Sequence, residues 1–127
     1  MPKYTRLAGL ILLLAASLAC STLLMDDNER FVQGTWTHGT DQGDGHGTYL
    51  ELTFSRGRFA MQGYPPLEQR GGYRVAGSSG DTLTLDLFDQ AGDLPTDDRE
   101  MVIVIDRGAD QLLVDGSGPY TRSGPQP

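Results

Sequence analysis

Between Thr48 and Ser55 apolar and polar side chains take strict turns: Leu50, Leu52 and Phe54 alternate with Tyr49, Glu51 and Thr53. A period of two belongs to an extended chain, in which successive side chains point to opposite faces. The segment is therefore a strand with one dry face and one wet face. Leu83, Leu85 and Leu87 alternate with Thr82, Thr84 and Asp86 in the same way, and no stretch of ten residues after Cys20 has a helical period. Eight strands are legible, over 31–38, 48–55, 58–63, 71–76, 82–88, 99–106, 110–115 and 118–122, with Gly or Asp at most junctions. The fold class is all-β.

Loop lengths add geometry. Short Gly-bearing connections at Arg56-Gly57, Gly77 to Asp81 and Arg107 to Ala109 alternate with longer ones at Gly39 to Gly47, Tyr64 to Arg70 and Asp89 to Asp98. In a meander, alternate connections lie at the same end, so the short turns close a floor and the long loops crowd a mouth. Closing the sheet on itself removes its exposed edges. The expected architecture is a small eight-stranded antiparallel up-and-down barrel. Met101 to Ile105 breaks the alternation with five apolar residues in a row, so both faces of that strand want cover. Burial under the N-terminal segment or a neighbouring loop would supply it, as would a self-association or partner patch.

The N-terminus has a different character. Lys3 and Arg6 precede an uncharged, largely apolar run from Leu7 to Met25, and Ser17-Leu18-Ala19 leads into Cys20. A basic start, an apolar middle and a small-residue site form an export signal. Cys20 is the sole cysteine and stands where cleavage would make it N-terminal, so the segment resembles a bacterial lipoprotein signal. That resemblance implies an acyl chain on Cys20 that anchors the domain outside the cytoplasm, on the periplasmic or cell-surface face of a bacterial membrane. Two other readings fit the same residues. Signal peptidase would release a soluble protein, and an uncleaved run of 19 residues at ~1.5 Å each would span roughly 30 Å of hydrocarbon. The resulting layout is a signal at 1–19, a tether at 20–30, a barrel at 31–122 and a disordered tail at 123–127.

Removing the first 19 of 127 residues leaves 108, enough for one core. Lys3 and Arg6 leave with the signal, so 17 acidic residues face eight arginines and the net charge becomes −9. Nucleic acid and anionic lipid headgroups are poor partners for such a surface, whereas a basic protein would be steered to it. A lone cysteine excludes an internal disulfide.

Phe31-Val32-Gln33-Gly34-Thr35-Trp36 carries Gly-x-Trp near the start of the first strand, and here the chain resembles the lipocalin and calycin group. The resemblance implies that Gly34 and Trp36 close the barrel floor and that Arg122, on the last strand, packs across Trp36. Guanidinium over indole is favourable by ~0.5–2 kcal/mol and would tie first strand to last. It also implies a small, partly apolar ligand at the open end. The chain is short for that group, and its inward candidates Leu50, Leu52, Phe54, Phe59, Leu83, Leu85, Leu87, Ile103 and Ile105 are bulky. The expected interior is a packed floor with at most a shallow pocket.

Candidate contacts at the mouth are His38, His46, Tyr64 and Asp97. The loop from His38 to His46 also holds Asp41 and Asp44, yet this spacing matches no metal site, so no metal or other cofactor is expected. Neither a nucleophile elbow nor a phosphate loop occurs, and no enzyme is expected. Three functions remain: a membrane-tethered carrier of a small apolar ligand; a protein-binding barrel, such as an anchored hydrolase inhibitor with a basic partner; and a structural envelope lipoprotein.

Overall fold

The computed structural model describes residues 25–40 and 47–123. A short helix, α1 (Asp27–Val32), precedes β1 (Gly34–Thr40), β2 (Thr48–Ser55), β3 (Arg58–Tyr64), β4 (Leu67–Ser79), β5 (Thr82–Gly92), β6 (Arg99–Asp106), β7 (Gln111–Val114) and β8 (Ser117–Ser123). Each strand pairs antiparallel with the next, and β1 pairs with β8 to close the sheet. The result is the eight-stranded all-antiparallel barrel that alternation predicts, consistent with a lipocalin-like fold. Arg56 and Gly57, with φ of 46° and 86°, build the tight turn whose twist matches the flanking strands β2 and β3.

The alternation is realised as inside and outside. Leu52, Phe54, Phe59, Leu83, Leu85, Leu87, Ile103 and Ile105 are buried, joined by Trp36, Tyr73, Met101, Leu112, Val114 and Tyr120, while Leu50 is only partly buried. Phe54 and Tyr73 meet edge to face at 5.9 Å. Side chains thus fill the barrel axis. Burying each large one contributes ~1.5–3 kcal/mol, and in a chain without a disulfide this is the main source of stability.

The structure corrects three expectations. Phe31 and Val32 end a helix rather than open a strand, so β1 begins at Gly34. Asp26 to Arg30, read as tether, are the N-cap and body of that helix. It is invisible to periodicity because six residues make fewer than two turns. Tyr64 to Arg70 is no long loop: Pro65 and Pro66 turn the chain, and β4 resumes at Leu67. On the outer face Val102, Val104 and Leu113 stand 37%, 42% and 39% exposed, so among the described residues nothing covers the second face of β6, which is the arrangement that the patch alternative expects. Cys20, the signal and residues 20–24 of the tether lie outside the described residues, as do 124–127. No described helix is long and apolar enough to cross a membrane.

Candidate functional site

The barrel has two unlike ends. At the end where the chain enters, β1 and β8 place Trp36 and Arg122 as direct partners, with the guanidinium carbon 4.1 Å from the indole centroid. This is the contact that the sequence led us to expect. Arg122 does more than stack. Its Nη1 and Nη2 donate to the carbonyls of Gln33 and Phe31 at 2.9 and 2.8 Å, and its Nε donates to the Asp110 carboxylate at 3.0 Å. The carbonyls at a helix C-terminus lack partners within the helix, and the helix field there favours a cation. The Trp36 indole N–H donates to the Val32 carbonyl at 2.8 Å. Gly34, at φ 114°, turns the chain from helix to strand in a conformation that side chains resist.

Helix α1 is fastened to all three hairpin turns at this end. The Asp26 carboxylate caps it by accepting from the Asn28 and Glu29 amides, and also accepts from the Ser78 hydroxyl at 2.6 Å. Asn28 donates to Ser78 and to the Gly80 carbonyl in the β4–β5 turn, and it accepts from Arg107 in the β6–β7 turn. Gln33 accepts from the Arg56 amide in the β2–β3 turn and donates to the Tyr73 hydroxyl. The Ser78 hydroxyl, against the opposing effect of burial and aided by the two amides and the Arg107 charge, holds the Asp26 carboxyl below its ordinary value. Burial pushes the Tyr73 phenol up, with the Glu29 carboxylate adding to it.

The mouth is built differently. Gln69 and Gln90 are buried. Gln69 accepts from the Leu94 amide at 3.1 Å and donates to the Pro95 carbonyl at 3.4 Å. Gln90 donates to the Asp97 carbonyl at 2.7 Å, and the two glutamines meet at 3.3 Å. Asp93 adds a reciprocal pair with the Glu68 backbone. Residues 93–98 are thereby pinned to the wall. Gly92 makes this possible at φ 140°, because a Cβ there would lie 2.2 Å from the Glu68 carbonyl oxygen.

Of the mouth candidates, His38 sits at the rim with Nδ1 2.9 Å from the Pro119 carbonyl and its ring 5.3 Å from Tyr120. Asp97 lends its carbonyl to Gln90, leaving the residue exposed. Tyr64 is 55% exposed and is the register partner of Tyr49, itself 45% exposed. The structure thus pairs Tyr64 with a tyrosine that sequence reasoning did not single out, although Tyr49 lies on the wet face of β2. His46, Asp41 and Asp44 lie outside the described residues. Among the described residues no three His, Cys, Asp or Glu side chains converge as a metal site would require. Helix α1 was missed, and its signal was Asp26-x-x-Glu29 ahead of Phe31 and Val32, a helix-start spacing. Compared with known protein families, curated proteins and solved structures, the chain has no match.

Proposed function

We propose that the protein is a lipoprotein of the lipocalin type, anchored outside the cytoplasm through an acyl chain on Cys20, whose mouth rim binds a basic protein partner such as an envelope hydrolase. The observation that carries this reading is the filled interior. Leu52, Phe54, Leu83, Leu85 and Ile103 are at most 1% exposed, and the two mouth glutamines are already engaged by the 93–98 loop. Recognition therefore falls to the surface. There the rim offers Tyr49 and Tyr64, a residue type enriched in binding hot spots, and the 93–98 loop adds Asp93, Asp97 and Asp98, whose charge steers a basic partner.

Tether length supports the same reading. Cys20 precedes the N-cap Asp26 by six residues, at most about 20 Å of chain, and α1 lies at the closed end. A lipid on Cys20 would hold that end against the bilayer and aim the mouth away from it. The carrier reading keeps one observation, a depression of about 390 Å³ lined by Met61 and Gln69 and, from the outer wall, by Ala60, Arg70 and Ala91. Native mass spectrometry of the full chain, made in a bacterium and released from neutral detergent, separates the two. The expected species starts at a diacylated Cys20 and carries no further small mass, and photo-crosslinkers at positions 49 and 64 capture a basic protein whose yield falls with added salt. An extractable bound ligand would overturn the partner reading in favour of the carrier.

A further inference from the structure

The eight described arginines divide into two groups. Arg30, Arg99, Arg107 and Arg122 each reach an aspartate, at 3.2, 3.5, 3.9 and 3.0 Å. Arg56, Arg58, Arg70 and Arg74 reach no carboxylate among the described residues, although acidic residues outnumber arginines about two to one. These four sit together on the β2–β3 turn, β3 and β4. Arg74 stacks 4.4 Å over Phe88, while no described residue bonds the guanidiniums of Arg58 and Arg70.

The register explains the shape between them. On the outer face Thr53 lies beside Ala60, Ala60 beside Arg70, and Arg70 beside Ala91; in the next row Ser55 lies beside Arg58 and Arg58 beside Gly72. Arg58 and Arg70 are therefore diagonal neighbours on adjacent strands, with backbones ~7–8 Å apart, a span that long side chains bridge. The small side chains of Thr53, Ala60 and Ala91 leave a trough of about 280 Å³ with both arginines on its wall. Asp89 also borders the trough, but it comes within ion-pairing distance of neither arginine. Two guanidiniums against one carboxylate leave the depression positive on an otherwise acidic molecule.

We propose that this trough binds a phosphate group, gripped between the guanidiniums of Arg58 and Arg70 with the Ser55 hydroxyl at its edge. Guanidinium forks match tetrahedral oxyanions in geometry and bond them with charge assistance, and such a ligand relieves the repulsion between two uncompensated cations. The site lies on the outer wall, where it shares Ala60, Arg70 and Ala91 with the larger depression beside it. Its chemistry is shared by a soluble phosphorylated compound and by an anionic phospholipid headgroup.

The test is amide NMR of the full chain in neutral detergent micelles at fixed ionic strength, titrated with inorganic phosphate or, separately, with phosphatidylglycerol mixed into the micelles. Saturable shifts are expected at Arg58, Ala60, Arg70 and Ala91. The double variant Arg58→Gln/Arg70→Gln should weaken the response by roughly tenfold or more, and Arg30→Gln/Arg99→Gln should leave it intact. All four side chains are exposed or partly so, which keeps both variants folded. A response to phosphate assigns a soluble ligand, and one to the lipid alone assigns the headgroup. No saturable response to either, or equal loss in the two double variants, would overturn the site.

Discussion

The floor and the mouth of this barrel are both closed, by different physics. At the floor, Trp36, Phe31 and Val32 bring apolar area, Arg122 brings a charge shared among an indole, two helix carbonyls and a carboxylate, and three separate turns are bonded to one helix. At the mouth, Gln69 and Gln90 hold a loop through neutral hydrogen bonds, each worth ~0.5–1.5 kcal/mol net, and a single exposed carboxylate, Asp93, adds a bond from the Glu68 amide. Losing the floor removes buried area together with hydrogen bonds to a charged group. Losing the mouth contacts removes a few bonds that water can replace. The floor should therefore open only with the whole fold, and the mouth should open by itself, as recognition loops do.

The largest test of that difference is Trp36→Ala, expected to cost ~3–5 kcal/mol in urea unfolding. Arg122→Met follows at about 3 kcal/mol, because it strands the Gln33 and Phe31 carbonyls and removes the cation stacked on Trp36. The two should couple by ~0.5–2 kcal/mol in a double-mutant cycle. If either single variant loses less than about 1 kcal/mol, the floor is no stronger than the mouth and the comparison collapses.

That the floor was partly legible and the mouth was not has a physical reason. Trp36 and Arg122 are chemically unusual residues at the ends of well-patterned strands, so their meeting follows once the sheet is closed. The glutamines look like surface residues. Gln90 follows Leu87 at an odd spacing because the β4–β5 ladder slips between Arg70 and Gly72, and that slip turns a position inward that alternation assigns to solvent. The two-residue turn at Pro65-Pro66 was hidden for a similar reason: alternation fades over Leu67 to Arg70, where β4 carries mixed polar residues that nonetheless pair with β3.

The mouth has its own test. Gly92→Ala would put a Cβ 2.3 Å from the Gln69 Oε1, and Gln69→Leu removes that oxygen. Both should accelerate hydrogen exchange at the Leu94 amide, whose acceptor is Gln69, by roughly tenfold or more. Gln69→Leu should lower global stability by only about 1 kcal/mol, with Gly92→Ala costing a further ~1–3 kcal/mol in backbone strain. Exchange at the Trp36 and Tyr120 amides should stay tied to global unfolding in both. A parallel acceleration at the two ends would mean that the barrel opens as one unit.

The smallest expected effect isolates the charge at the helix cap. The Asp26 carboxyl has its folded value lowered, first by the Ser78 hydroxyl and then by backbone amides and Arg107, from an ordinary 3.8. A depressed carboxylate stabilises the fold above its unfolded value, and that contribution disappears as pH falls through the lower, folded value. Asn caps helices about as well as Asp, so Asp26→Asn preserves the cap and deletes the charge. At pH 7 the variant should be less stable by about 0.3–1 kcal/mol, the scale of a charge at a helix N-terminus. Thermal unfolding followed by circular dichroism should show the two midpoints converging below about pH 4, in the window set by that lowered carboxyl. A gap that holds constant down to pH 2 would assign the cap's contribution to hydrogen bonding alone, and the floor would then owe its strength to Arg122 and the apolar cluster without help from the cap charge.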